Sequence, residues 1–396
     1  MGCASGDVSH LATDHRHESR EHGKIGGKFK FRGWAVTVLA DIRRVVVPLA
    51  MGQPEVPGMC GHWTRRHCQR MCAEGLGPWL YKSLSDPVKA GLKPGLLDEF
   101  RNEYKRSALT YLYREAALRK LFAAFHSRGI PAILLNGCYL AGFVYDDPAP
   151  RPMCDVDLLV QEEQFAYAGH ELERLLYRPM FSTNGHQDPL SKLPTVYRAS
   201  YPVPELIDLH RCIQSMDYYR FPANALWGDT EEKELYGCKV LCLSAEFNFI
   251  HIGLHVFDHQ SSLRDWVDLA TMVRTMNLDW DRLMWLARSS GSVRPLFWVF
   301  KELGRNWGIR LPTGFSAALD SYVPDWWEDR VIRHMFRYVW RLAARISRLN
   351  GWGERFRYIA EKVLPPRDET GRRPVSRYAS YVISKISLFR QLWRRT

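Results

Sequence analysis

At Gly129-Ile130-Pro131 the apolar rhythm of this chain changes period, and that change constrains the fold more than any other feature. Upstream, within Leu96–Ser127, the residues Leu109, Leu112, Ala116, Ala117, Leu121 and Phe125 recur at helical spacing and predict one apolar stripe. Downstream, Ala132-Ile133-Leu134-Leu135 is a short apolar run fit for a buried strand, closed by Asn136-Gly137. Cys138–Tyr145 starts a helix, and Asp146–Pro152, with Pro148, Pro150 and Pro152, is a loop. Asp155–Val160 is a second strand, and Gln161–Tyr177 is a helix with Phe165, Ala168, Leu172, Leu175 and Leu176 on its apolar side. After a polar loop at Ser182–Pro194, Thr195–Ser200 and Glu205–Arg211 read as two more strands. The helical pattern returns at Ser244, which caps a core helix carrying Phe247, Ile250, Gly253 and Leu254. The expected class is therefore α+β: a small mixed sheet with flanking helices and a mostly helical C-terminal part.

The 396 residues divide on this reading into a loosely ordered extension (1–60), a helical segment (61–128, with a helix at Trp63–Ser83), an α/β core (129–243), a helical domain (244–365) and a basic tail (366–396). A hydrophobic fraction of 46% is enough to bury a sizeable core. The formal charge of +12 suits anionic partners, and Arg367–Thr396 supplies half of it, with eight basic residues against two acidic ones. Nine cysteines without a disulfide framework read as reduced thiols in a cytoplasmic protein. No secretory signal is visible. Trp34–Ala50 is interrupted by Asp41, Arg43 and Arg44 and is too charged to span a bilayer. Gly6 stands where myristoylation requires Ser or Thr.

The chemistry concentrates in Arg151-Pro-Met-Cys-Asp155-Val-Asp157-Leu-Leu-Val160. Side chains alternate along a strand, so Asp155 and Asp157 share a face. Two carboxylates so placed repel each other unless a cation lies between them, and an oxygen-rich pair favours Mg²⁺, which also binds phosphates. The segment Glu205-Leu-Ile-Asp208-Leu-His210 puts Leu206, Asp208 and His210 on one face, with Ile207 and Leu209 on the other. A third carboxylate beside the first two completes a two-metal site of the kind that clamps the attacking and leaving oxygens of an in-line displacement.

Leu-Leu-Asn136-Gly137, Tyr145, Arg151, Asp155-Val-Asp157 and Ile207-Asp208-Leu209-His210 together resemble the polymerase-β-like nucleotidyltransferase superfamily. More closely, the chain is similar to the uncharacterised nucleotidyltransferase family of bacterial proteins, over roughly residues 65 to 300. A helical stretch with His251, His255, Arg264 and Asp268 extends the match. The resemblance implies that Asp155, Asp157 and Asp208 are catalytic and hold Mg²⁺ or Mn²⁺. It implies that Asn136, Gly137, Arg151, His210, Arg264 and Asp268 line the site of an NTP. Gly137 and Asn136 would present backbone and amide donors to the phosphates, and Arg151 would neutralise charge on the transferred phosphoryl group. The chain departs from the closer family at Asn136, where Lys is common, which lowers the expected affinity for triphosphate. The implied reaction moves a nucleoside monophosphate to an acceptor hydroxyl or phosphate on a small molecule, a peptide or protein, or an RNA end. A catalytically weakened nucleotide-binding protein and a phosphotransferase are the competing readings.

Other features carry less. Cys60, His62, His67, Cys68 and Cys72 cluster, but their spacing matches no standard zinc finger, and Cys68 and Cys72, four apart on a helix, read as core. His251 and His255 lack the adjacent Glu of a zinc-protease motif and read as buried, hydrogen-bonded histidines lining the cleft. Arg264 and Asp268, also four apart, suit a helix ion pair as well as a cleft lining. The tail is amphipathic in parts, which allows peripheral membrane contact, while packing of its apolar side is the commoner outcome. Nucleic-acid binding has no motif behind it beyond charge.

Overall fold

The computed structural model describes residues 34–53, 60–180, 195–199, 205–213, 221, 223–259 and 262–320. The expectations for residues 1–30, for Ser182–Pro194, for the helical region past 320 and for the basic tail lie outside these residues. The chain divides into two units, residues 1–44 and 45–396. The described part of the first belongs to helix α1 (Trp34–Ala50). No helix among the described residues is long and apolar enough to cross a membrane.

In the second unit, short helices α2 (Arg65–Ala73), α3 (Gly77–Ser83) and α4 (Asp86–Gly91) precede the long helix α5 (Pro94–Ser127). The helix expected from Trp63 to Ser83, with an end near Gly75 and Gly77, is two helices, and Gly75 at φ +71° lies between them. Pro94 opens α5 at a position where a missing N–H costs nothing, and Gly129 at φ +63° ends it. The buried stripe of α5 keeps Leu121 and Phe125 as expected but differs in its first half. Leu109 and Leu112 are exposed, and Ser107, Tyr111, Arg114, Leu118, Leu121 and Phe125 face inward. A buried carboxylate partner turns the helix this way: Arg114 Nε donates to Glu205 Oε1 at 2.8 Å, with both side chains almost wholly buried.

The mixed sheet contains β1 (Ala132–Leu134), β2 (Val156–Val160), β3 (Arg178–Pro179), β4 (Thr195–Ala199), β5 (Glu205–His210), β6 (Thr230–Leu235) and β7 (Cys238–Leu243), in the order β3-β4-β5-β2-β1-β7-β6. β2 runs parallel to β5 and antiparallel to β1, while β1 runs parallel to β7. The β6–β7 hairpin turns at Tyr236-Gly237, both at positive φ, as a two-residue turn with right-handed strand twist requires. Helix α6 (Asn136–Phe143) follows β1 directly; a 3-10 turn at Glu162–Gln164 and α7 (Phe165–Arg174) follow β2. Val156, Leu158, Ile207 and Leu209 are buried on one face, beneath α5 and α7. The opposite face carries Asp157, Asp208 and His210. Beyond α8 (Ala223–Gly228) and the hairpin come α9 (Ala245–His259), α10 (Leu263–Thr275), α11 (Trp280–Ser289), α12 (Val293–Asn306) and α13 (Thr313–Asp320). Ser244 caps α9, accepting from Phe247 N at 3.3 Å, and Phe247, Ile250 and Leu254 are buried. The class is α+β, with helices on both sides of the strand-forming segment.

Candidate active site

β2 and β5 are parallel neighbours with Asp157 opposite Asp208. This register follows from two apolar faces that each demand burial, since a one-residue slip would bring Asp157 under α5 and α7. It brings oxygens of Asp157 and Asp208 and a ring nitrogen of His210 within 4.8 Å of one another. Asp155 lies just before β2, and its carboxylate and the other two repel one another electrostatically.

The environments of the three carboxylates differ. Burial pushes Asp157 up, but a hydrogen bond from His210 Nε2 at 2.8 Å and another from Asn136 outweigh it and hold the carboxyl below its ordinary value. Because an ionised carboxylate only accepts, His210 must donate from Nε2. Burial raises Asp208, and the charges of Asp157 and then Asp155 add to this, so that its pKa reaches about 6 against the pull of His210. Burial and then Asp157 also raise Asp155. Asn136 reaches Asp157 from the β1–α6 junction, where its backbone takes φ +47°. Asn enters this left-handed region more readily than most residues with a side chain.

The segment leading into Asp155 is strapped from two sides. From α5, Tyr104 donates to Asp147 at 2.7 Å, Tyr111 donates to the Arg151 carbonyl at 2.6 Å, and Arg114 donates to the Met153 carbonyl at 3.3 Å. From α10, Arg264 donates to the Pro152 carbonyl at 2.9 Å, and Asp268 accepts from Tyr145 at 2.7 Å and from Arg151 at 3.0–3.2 Å. Arg151 is buried with its guanidinium bound by Asp268, and one of its terminal nitrogens would stand 2.7 Å from a Cβ on residue 137. Gly137 therefore makes room for Arg151. Arg264 and Asp268 do not pair with each other: Arg264 also lies 3.7 Å from Asp265. Both tie the loop down.

His251, on α9, is buried, and neither ring nitrogen has a hydrogen-bond partner among the described residues. Burial, and then the charge of His255, lower its pKa to about 3, with Asp157 pulling the other way. This differs from the hydrogen-bonded pair expected from sequence, and His255 is exposed. Sequence reasoning missed Tyr104, Tyr111, Arg114 and Glu205 altogether. The one available signal was Arg114, a charged residue in step with Tyr111 and Leu118 along the buried face of α5.

The family model described as uncharacterised nucleotidyltransferase matches residues 65–302. No curated protein matches the chain. Among solved structures, that of the antibiotic-resistance factor ANT(2'')-Ia in solution is 17% identical with a TM-score of 0.35, over 48% of this chain and 96% of that one. A crystal structure of ANT(2'')-Ia in complex with adenylyl-2''-tobramycin is 17% identical with a TM-score of 0.34, over 45% of this chain and 96% of that one. An antigenic nucleotidyltransferase-like protein from Paracoccidioides brasiliensis is 16% identical with a TM-score of 0.35, over 52% of this chain and 96% of that one. Likenesses this remote fix no residue of the site.

Proposed function

We propose that this chain, which belongs to the uncharacterised nucleotidyltransferase family, moves a nucleoside monophosphate from an NTP to an acceptor hydroxyl or phosphate at the carboxylates Asp155, Asp157 and Asp208. The observation that carries this reading is the in-register placement of Asp157 beside Asp208, with His210 within reach of both. Asp157 and Asp208 side by side, with Asp155 close enough to repel both, are costly without a cation, and hard carboxylate oxygens suit Mg²⁺ or Mn²⁺. Bound there, such an ion supplies charge neutralisation to the triphosphate.

The chain's own residues do the rest. Asp157, held ionised by His210 and Asn136, is the fixed anionic ligand. Asp208, opposite Asp157, would take the acceptor's proton at its carboxylate oxygen. Arg151 and Asp268 act as positioning residues: they hold the loop that presents Asp155, and Arg151 backs the Gly137 turn where the phosphates would approach. Asn136 serves Asp157 in place of the charge that a Lys would bring to the phosphates. The acceptor belongs to one of three classes: small molecule, peptide or protein side chain, or RNA end.

Incubation with each NTP labelled at the α- or the γ-phosphate, with Mg²⁺ or Mn²⁺, tests the reading. Label transferred from the α position supports it. Transfer from the γ position makes the protein a phosphotransferase, and binding without transfer makes it a weakened nucleotide-binding relative. Unchanged transfer by Asp157→Asn would remove the carboxylates from the mechanism.

A further inference from the structure

Away from the carboxylates, Cys68 and Cys72 on α2 and Glu99 on α5 bring two sulfurs and a carboxylate oxygen within 4.8 Å of one another. A helix places residues four apart on one face, so both thiols point at the same patch of α5. Cys68 is fully buried, while Cys72 and Glu99 are partly exposed, which leaves a route in from solvent. Gly77 makes room for the Cys72 sulfur, from which a Cβ there would stand 3.0 Å. A fourth donor is at hand, because the Leu96 carbonyl oxygen lies 3.9 Å from the Cys68 sulfur.

We propose that Cys68, Cys72 and Glu99 form a structural site for a borderline-soft divalent cation, Zn²⁺ by its chemistry, with the Leu96 carbonyl or a water as fourth ligand. Tetrahedral Zn²⁺ with bonds of about 2.3 Å to sulfur and about 2.0–2.2 Å to oxygen spaces its ligand atoms roughly 3.5–3.8 Å apart. The three ligand atoms already lie within 4.8 Å of one another, so the contraction needed is at most about 1.3 Å. Binding exchanges two S–H bonds for two S–metal bonds and releases both protons to solvent. The neighbouring Cys72, then burial and Glu99, push the Cys68 thiol up, so the ion must displace its proton. The ion would clamp α2 to the start of α5. Just beyond Cys72, Glu74 accepts from the Leu263 N–H at 2.8 Å, so the clamp would also steady the end of α10 that carries Arg264. The site is independent of the proposed reaction and uses no residue of it.

The test is titration of the reduced, full-length protein with Co²⁺ or Cd²⁺, reading the ultraviolet thiolate-to-metal charge-transfer band. The wild-type band should saturate at one equivalent, and the loaded protein should melt at a higher temperature. The band should persist in Asp208→Asn, disappear in Cys72→Ser, and fill only at excess metal in Glu99→Gln. Circular dichroism confirms that each variant is folded, and Glu99→Gln, partly exposed, carries the test if Cys72→Ser is not. No band in the wild type overturns the proposal, as does a band that survives both Cys72→Ser and Glu99→Gln.

Discussion

Asp157 and Asp208 stand side by side on two parallel strands, and the protein treats the two carboxyls oppositely: hydrogen bonds pull Asp157 down, while burial and its neighbours push Asp208 up to about 6. A carboxyl whose folded pKa exceeds its unfolded value leaves the fold fully stable below about pH 4. That contribution is lost as pH rises through 6. In EDTA, Asp208→Asn should therefore be more stable than wild type at pH 8, by about 1–2 kcal/mol after discounting for partial exposure, and no more stable at pH 4. Urea midpoints at the two pH values read this out. Adding Mg²⁺ with NTP should raise the wild-type melting temperature and leave that of the variant nearly unchanged. An Asn variant less stable than wild type at pH 8 would mean that Asp208 is not strained by its neighbours.

The buried Arg151–Asp268 pair joins the loop to α10. Removing one member leaves a buried charge without its partner, at a cost of about 3–5 kcal/mol. Asp268→Ala and Arg151→Met should each lose stability on this scale in chemical denaturation. The double variant should lose markedly less than the sum, because neither charge is then stranded. Simple additivity would show that the pair is not coupled.

The strand–helix–strand frame was legible because Ile133, Leu134, Val156, Leu158, Ile207 and Leu209 must be buried, and apolar runs reveal such strands. The hairpin was not. β6 is an edge strand written as Thr-Glu-Glu-Lys-Glu-Leu, whose solvated charges give no apolar alternation, and only the Gly237 turn marks it. The α5 stripe was rotated in its first half because spacing alone counts Leu109 and Leu112 as core. The buried Glu205, 91 residues away, instead draws Arg114 inward, and nothing local to α5 announces that partner. The carboxylates were legible as a pattern. The partners of Arg151, Arg264 and Asp268 were not, because a motif names residue types, and only the fold decides what each side chain touches.

Gly137→Ala would place a Cβ 2.7 Å from a terminal nitrogen of Arg151. The guanidinium cannot simply swing aside, since Asp268 binds it. Overpacking of this kind costs about 1–3 kcal/mol. The cost should shrink in the Asp268→Asn background, where Arg151 is released. A double-mutant cycle measured by urea unfolding checks this, and an equal cost in both backgrounds would refute the contact.

His251 makes the clearest separation between structure and function. Burial lowers its pKa to about 3, far below the ordinary value of 6.5. A histidine held neutral in the fold contributes stability that is present above 6.5 and is lost as pH falls toward 3. The slope reaches about 1.4 kcal/mol per pH unit. His251→Leu should flatten the stability curve between those limits. It should also stabilise the protein at pH 5, because two buried ring nitrogens without partners among the described residues are removed. If the imidazole faces Asp157 in order to meet the nucleotide, the same variant should bind NTP more weakly in equilibrium titration while melting at a higher temperature. A more stable variant with unchanged NTP affinity would reduce His251 to a packing residue.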